Sequence, residues 1–249
     1  MSLNLIGDNI VRLNTVDSTN NYAAKMINQT NIPFGTVIMS RFQTSGKGQR
    51  ASNWVSSVNE NLLFSVILDT SFVKPSEIFQ LSKVVSISIK MAISTLVPNN
   101  VCIKWPNDIL VDSFKIAGIL IENQWAANKL KSSIVGIGLN VNQTEFNTSF
   151  SATSLHKLTL KEHAVDEVMR LVIKQLNIYF QHLKKGDHSM LDELYLSNFY
   201  RYNIWSNYKS IDCEKFEGKI TGVSKDGLIE IEKKNGISTN YDLKEISFI

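Results

Sequence analysis

Cysteine and long apolar runs are both scarce in this chain of 249 residues. The two cysteines, Cys102 and Cys213, are too few for a disulfide framework and lack the spacing of metal ligands, which indicates a reduced cytosolic protein. No apolar stretch reaches the roughly 20 residues that a transmembrane helix needs. Residues 1–8 also lack the basic and apolar regions of a secretory signal peptide. We therefore expect a cytoplasmic protein that does not enter a membrane.

A large excess of one charge is also missing. The formal net charge is +3, from 26 basic and 23 acidic residues that are interleaved along the chain. A protein that binds nucleic acid through bulk charge carries a concentrated basic surface, so we expect no nucleic-acid partner. The length is sufficient for a substantial core and predicts one large domain with a small one.

The most informative stretch is Lys104-Trp105-Pro106-Asn107-Asp108, which separates two short apolar runs. Its proline fixes φ and lacks an N–H, and its Asn-Asp pair stabilises turns, so the pattern predicts a turn between two strands. Lys115 begins the next predicted strand and is expected to fold back beside Lys104. Two lysines and a carboxylate at strand ends suit a site for a phosphate or an activated carboxylate, although a surface hairpin with solvated charges fits equally well.

Two further sets of residues are candidate ligand contacts. Ser18, Thr19 and Asn20 stand between a predicted strand and a predicted helix, where they either cap the helix or meet a ligand. Gly136 and Gly138 fall on one face of another predicted strand. Such a pair indicates a closely packed neighbour, either a flat ligand or a tightly packed helix, or else a β-bulge.

The segment from Arg41 to Trp54 is polar, contains glycine and shows neither helical nor strand periodicity. Gly46-Lys47-Gly48 lets the backbone approach an anion, and Lys47 and Arg50 add positive charge. The spacing matches neither a Walker A loop nor the Rossmann glycine pattern. A phosphate-binding loop and a flexible linker therefore both remain open.

The rest of the sequence predicts helices up to about residue 204 and short strands after it. A long helix is predicted from Pro75 to about Leu96, and Thr159-Leu160-Lys161-Glu162 matches a capping box before an amphipathic helix that ends near Gly186. Short alternating strands then follow, separated by Asp-Gly and Asn-Gly, which are strong hairpin signals. We predict a larger domain over residues 1–204, which the resemblance given next implies to be the catalytic domain, and a small β-barrel over residues 205–249.

In order and spacing these segments resemble the biotin protein ligases, from about Asn14 to Asn142, with a looser match over the barrel. The matching segments are Ser18-Thr19-Asn20, Gln43 ahead of Gly46-Lys47-Gly48, Trp54, Lys104-Trp105-Pro106-Asn107-Asp108, Lys115 in Lys-Ile-Ala-Gly-Ile-Leu, and Gly136-Ile137-Gly138-Leu139-Asn140. The resemblance implies an α+β fold, with a mixed central sheet flanked by helices and a C-terminal SH3-like β-barrel. It also implies ATP-dependent ligation of biotin to a specific lysine of a biotin carboxyl carrier protein through biotinyl-5′-AMP.

The resemblance also implies a role for each matching residue. The catalytic residues would be Lys115, Lys104 and Asp108. The biotin-binding residues would be Ser18, Thr19, Asn20, Gln43, Gly46, Lys47, Gly118, Gly136 and Gly138. The residues that bind ATP or the adenylate would be Lys47, Gly48, Gln49, Arg50, Trp54, Asn107, Lys115 and Asn140. Mg²⁺ would be held mainly by ATP, and Asp108 either orients the acceptor lysine or helps to hold the metal.

Two departures from the family pattern bear on function. Gln49 stands where the family often has an arginine that retains the adenylate, which puts tight retention of that intermediate in doubt. Only 17 residues precede Ser18, too few for the DNA-binding domain of bifunctional members, so we expect a monofunctional ligase rather than a repressor. A lipoate or octanoate ligase and a non-catalytic adenylate-binding protein are the rival interpretations. Whether the ligase forms a homodimer is left open.

Overall fold

Two β-sheets with helices packed on the larger one make up a computed structural model that describes residues 5–29, 31–49, 52–146 and 151–249. The strands are β1 Ile10–Val16, β2 Val37–Gln43, β3 Asn61–Asp69, β4 Val101–Lys104, β5 Asp108–Val111, β6 Phe114–Ala126, β7 Lys129–Asn140, β8 Trp205–Ser210, β9 Lys215–Val223, β10 Ile229–Lys233, β11 Ser238–Tyr241 and β12 Ile246–Phe248. The α-helices are α1 Thr19–Gln29, α2 Phe79–Ile93, α3 Leu155–Thr159, α4 Val165–Lys185 and α5 His188–Ser197.

The larger sheet has the order β1-β2-β3-β7-β6-β5-β4. It is mixed, because β1 runs parallel to β2 and the other neighbours are antiparallel. Its centre is covered on both faces, so alternate residues of β3 enter different apolar clusters. Phe64 and Val66 join the main core with α2 and α4, whereas Ile67 packs under α1 with Ala23. This confirms the predicted mixed sheet flanked by helices.

The C-terminal sheet has five antiparallel strands in the order β11-β10-β9-β8-β12. Its hairpins turn at Gly227 and Gly236, whose φ angles of +88° and +81° are readily reached only by glycine. The predicted Asp-Gly and Asn-Gly hairpins are therefore present, and the sheet fits the SH3-like fold. The predicted division at residue 204 falls directly before β8, and the division into two domains stays a prediction.

The structure corrects several predicted segments. The predicted helix from Pro75 is a short 3-10 helix, Pro75–Glu77, followed by α2. The capping box at Thr159 is wrong, because Thr159 lies in the last turn of α3 and its hydroxyl donates to the Leu155 carbonyl. Leu160 then takes a left-handed conformation with φ of +57°, which ends that helix. The strand β2 also runs on to Gln43, so the polar loop begins later than predicted.

No helix in the described part of the chain has both the length and the apolar character needed to cross a membrane.

Candidate functional site

A cavity of about 680 Å³ opens between the larger sheet, the loop that carries Gly46-Lys47-Gly48 (the glycine loop) and β12. Most of the predicted site residues line it: Ser18, Thr19, Asn20, Gln43, Lys47, Gly48, Gln49, Trp54, Lys104, Asn107, Asp108, Lys115, Gly118, Gly136, Gly138 and Asn140. Gly46 is not among the lining residues, and Arg50 lies outside the described residues. The structure thus brings together segments that are more than 100 residues apart in the sequence.

Lys115 and Asp108 form an ion pair at this cavity, with 2.7 Å between Nζ and Oδ1. Asp108 begins β5 and lies directly opposite Lys104 on β4 and Gly118 on β6. The two side chains of the pair are about one-fifth exposed, which weakens solvent screening between them. The predicted fold-back of Lys115 beside the lysine-bearing turn is therefore present.

The three predicted glycines provide space that other side chains occupy. A Cβ atom on Gly118 would lie 2.8 Å from the Trp54 ring, and one on Gly138 would also collide with that ring. Gly118 and Gly138 are cross-strand partners, so the indole lies over a flat strip of backbone. A Cβ atom on Gly136 would collide with the Asn20 amide. The role of these glycines in accepting the rings of biotin stays a prediction.

A buried polar network links the start of α1 to the sheet. The Thr19 N–H and hydroxyl both donate to Gln43 Oε1, at 2.8 and 3.1 Å. Ser65 on β3 is fully buried and reaches Thr19 Oγ1 at 2.7 Å and Asn20 Oδ1 at 2.6 Å. Asn20 Nδ2 donates to Glu122 Oε2 at 2.7 Å. The network therefore fixes the orientation of the predicted biotin-binding side chains.

Sequence reasoning missed Ser65 and Glu122. Ser65 lies in the apolar strand β3, and the period-two pattern gives no sign that this buried serine contacts α1, which covers the face of the sheet to which Ser65 points. Glu122 is not among the residues that the sequence predicts for the site. A carboxylate seven residues after Lys115, on the same strand as the lysine and Gly118, was the available signal.

The glycine loop closes on itself and reaches the network through a lysine. The Trp54 N–H donates to the Gly46 carbonyl at 2.9 Å, and the Gly48 N–H donates to the Ser52 carbonyl at 2.7 Å. Lys47 Nζ lies 3.9 Å from Glu122 Oε1, and both side chains are partly exposed. Glu122 is thus shared between the loop and Asn20.

Besides Asp108 Oδ1, which is occupied by the ion pair with Lys115, two buried polar atoms at the cavity have no hydrogen-bond partner among the described residues: Trp54 Nε1 and Gln49 Oε1. Burial of an unpaired polar group is costly, so such atoms at a cavity suit contacts to a ligand. Beside the loop, hydrogen bonds from the Asn21 side chain and the Ser18 N–H lower the pKa of Asp17.

The far wall of the cavity joins the two sheets. Lys104 Nζ lies 5.2 Å from the centre of the Phe248 ring, and Trp105 Nε1 donates to the Gly227 carbonyl at 2.8 Å. The Asn107 and Asn140 amide nitrogens donate to the backbone carbonyls of Ile119 and Thr153, respectively, so both side chains hold backbone segments in place.

The described residues contain no cluster of three or more His, Cys, Asp or Glu side chains that could enclose a metal ion. The cavity offers Asp108 as one carboxylate. This limited set fits Mg²⁺, which proteins commonly bind through one or two carboxylates together with substrate phosphates.

Comparison with known proteins finds one family repeatedly. A model of the Biotin/lipoate A/B protein ligase family matches residues 13–140, about half of the chain. Over 247 residues the chain is 26% identical to the bifunctional ligase/repressor BirA of Bacillus spizizenii, and the match covers 95% of this chain and 73% of that protein. It is 27% identical over 145 residues to the biotin–[acetyl-CoA-carboxylase] ligase of Mycobacterium tuberculosis, which covers 57% of this chain and 53% of that protein.

Solved structures give the same result over nearly the whole fold. The biotin protein ligase from Aquifex aeolicus in complex with biotin and ATP superimposes with a TM-score of 0.79 at 28% identity. The alignment covers 97% of this chain and 99% of that protein. The apo structure of the Aquifex aeolicus ligase gives a TM-score of 0.77 at 25% identity.

Proposed function

This chain belongs to the biotin/lipoate A/B protein ligase family and is a ligase, and we propose that it attaches biotin to one lysine of a biotin carboxyl carrier domain. The observation that carries the proposal is the cavity itself. It gathers the Lys115–Asp108 pair, the glycine loop and the Ser18-Thr19-Asn20 segment around one volume large enough for a small molecule. The monofunctional character expected from the sequence stays a prediction.

In the first step, a carboxylate oxygen of biotin attacks the α-phosphorus of ATP. The bond from that phosphorus to the bridging oxygen breaks, and pyrophosphate leaves with the electron pair. This brings two anions together, so the reaction depends on positive charge held in place beforehand. Lys115 is the cation assigned to the biotin carboxyl and the α-phosphate, with Asp108 holding its ammonium in position.

In the second step, the ε-amine of the carrier lysine attacks the carbonyl carbon of biotinyl-5′-AMP. AMP leaves, the lysine nitrogen loses a proton, and an amide bond results. The glycine loop would cover the adenylate and keep water from the hydrolysable anhydride. Asp108 lies between the two lysines along the sheet and is the carboxylate available to orient the incoming amine.

Mg²⁺ would bind through the ATP phosphates, and Asp108 is the cavity carboxylate available to assist. When bound, the ion offsets phosphate charge as pyrophosphate departs. The polar network of Thr19, Asn20 and Gln43 would hold the ureido end of biotin.

Intact-mass spectrometry of a carrier domain tests the proposal. A biotin carboxyl carrier domain is incubated with this protein, MgATP and either biotin or lipoate, and a lipoyl domain serves as the second acceptor. We expect a gain of one biotinyl group that needs ATP and does not occur with lipoate. A gain only with lipoate on the lipoyl domain would instead assign the chain to the lipoate ligases.

A further inference from the structure

The C-terminal sheet contacts the turn between β4 and β5 at a buried tryptophan. Trp105 is 4% exposed, and its Nε1 donates to the Gly227 carbonyl at 2.8 Å. Gly227 lies in the hairpin turn between β9 and β10. The indole thus connects the lysine-bearing turn of the larger sheet directly to the smaller sheet.

The same hairpin turn packs against α2. A Cβ atom on Gly227 would lie 2.6 Å from the ring of Phe79, the first residue of α2, and Gly227 also has φ of +88°. Within the turn, the Gly227 N–H donates to the Ser224 carbonyl at 3.0 Å and the Leu228 N–H donates to Ser224 Oγ at 3.1 Å. The turn is therefore well ordered internally and is held between Trp105 and Phe79.

This contact bears on the cavity because the smaller sheet supplies one of its walls. Ile246, Ser247 and Phe248 of β12 line the cavity, and Phe248 faces the Lys104 ammonium at 5.2 Å. The strand β12 pairs with β8, β8 pairs with β9, and β9 leads into the Gly227 turn. A shift of that turn would be transmitted through paired strands to the wall beside Lys104.

We propose that Trp105 and Gly227 form a joint that positions β12 against Lys104 and so sets the shape of this end of the cavity for ligation. Trp105 is then a positioning residue for the reaction, which rests on the proposed function. The residues assigned to biotin lie elsewhere, at Ser18 and the start of α1, at the end of β2, in the glycine loop, and at the glycines of β6 and β7. The joint should therefore affect the transfer reaction without changing recognition of biotin.

The chain offers a matched pair of glycines for the test. Gly227 and Gly236 both occupy hairpin turns with similar positive φ, but a Cβ atom on Gly236 would meet nothing within 4 Å. Gly236→Ala therefore carries the backbone strain alone, whereas Gly227→Ala adds the collision with Phe79. The kcat of carrier biotinylation and the KM for biotin are measured for both variants.

We expect Gly227→Ala to lower kcat about tenfold while the KM for biotin stays within about twofold, and Gly236→Ala to leave both within about twofold. Trp105→Phe is the second variant, because it keeps a six-membered aromatic ring while it removes the N–H donor together with the five-membered part of the indole. It should lower kcat by at least about fivefold, the factor associated with one typical hydrogen bond, again without a change in the KM for biotin.

Equal kcat values for Gly227→Ala and Gly236→Ala would overturn the proposal that the joint positions β12. A rise in the KM for biotin in Gly227→Ala, parallel to the fall in kcat, would overturn it as well. If Gly227→Ala does not fold, Trp105→Phe decides, and wild-type kinetics in that variant would overturn the inference. An inactive wild-type protein would instead refute the proposed function, so the two failures are distinguishable.

Discussion

Glu122 occupies a position between two parts of the site that are remote in sequence. One of its carboxylate oxygens accepts a 2.7 Å hydrogen bond from Asn20, and the other lies 3.9 Å from the Lys47 ammonium. The ion pair is partly exposed and longer than a typical hydrogen bond, so it contributes little energy. The bond from Asn20 is the stronger of the two contacts, because hydrogen bonds to charged groups are stronger than neutral ones.

Replacement of Glu122 should therefore weaken biotin binding through Asn20. We predict that Glu122→Ala lowers biotin affinity about tenfold, because Asn20 loses a charged acceptor that fixes its amide. Glu122→Gln keeps an acceptor of the same shape and should lose less, about threefold. Isothermal titration calorimetry measures both, and equal affinities for the alanine variant and the wild type would contradict this role.

Substitution of Gln49 should change the rate at which biotinyl-5′-AMP leaves the enzyme. A guanidinium there would add a charged, bidentate partner for a phosphate, so Gln49→Arg should slow release of biotinyl-5′-AMP about tenfold. Gln49→Met is the control, because methionine is close to glutamine in size and, unlike arginine, adds no charge. The off-rate is measured by chasing preformed adenylate with excess unlabelled biotin, and an unchanged rate would count against this view of the loop.

The two cysteines should differ sharply in reactivity. Burial raises the pKa of the Cys102 thiol to about 11, with a further contribution from Asp112, whereas Cys213 is exposed. The thiolate is the reactive form, so at pH 8 a disulfide reagent such as DTNB should modify Cys213 alone. A second thiol should appear only on unfolding in guanidinium chloride. Two reactive thiols in the native protein would contradict the burial of β4.

At the scale of elements, α2 and α5 are joined by a largely buried lysine. Lys83 is 5% exposed, and its ammonium lies 2.6 Å from Asp192 on α5, near the rings of Phe79 and Tyr195. Removal of the aspartate leaves that ammonium buried without its counter-charge. Removal of the lysine leaves a carboxylate that water already reaches.

Asp192→Ala should therefore destabilise the protein more than Lys83→Met. We expect losses of about 2 and at most about 1 kcal/mol in the free energy of unfolding, because removal of one partner of a buried pair is costly and replacement of the buried charge by an apolar chain is not. Urea denaturation gives both values. An equal or larger loss for Lys83→Met would show that the pair is not held as described.

Element by element, the sequence predicted what depends on local pattern. Strand β1 and the hairpins of the C-terminal sheet follow from alternation and from Asp-Gly and Asn-Gly turns. The end of α4 was predicted because glycine commonly ends a helix, and in the structure Gly186 takes φ of +79°. The capping box at Thr159 failed because the same residue pattern also ends a short helix, and only the neighbouring structure decides between the two.

The site was predicted less completely, because several of its contacts join distant segments. The predicted site residues were assigned through the resemblance, and the structure places all of them on the cavity except Gly46, with Arg50 outside the described residues. Ser65 and Glu122 form hydrogen bonds with Asn20, which is 45 and 102 positions away from them, and no local hydrophobic periodicity indicates such contacts. The Trp105–Gly227 hydrogen bond spans 122 positions and depends on how the two sheets pack.

At the scale of the whole molecule, the C-terminal sheet completes the cavity that the larger sheet begins. The larger sheet supplies both lysines, and β12 supplies the wall beside Lys104. Mg²⁺ dependence, a biotin carboxyl carrier domain as the acceptor and residence in the cytoplasm stay predictions.

The most direct test separates the two chemical steps with and without Lys115. The protein is mixed with biotin and MgATP in the absence of carrier, pyrophosphate release is followed, and a carrier domain is then added. We predict a burst of about one pyrophosphate per enzyme that requires biotin, followed by AMP release and biotinylation on addition of carrier, and no burst with Lys115→Ala. Biotinylation of the carrier by Lys115→Ala at the wild-type rate, or a burst that does not need biotin, would contradict the role of Lys115 in forming biotinyl-5′-AMP.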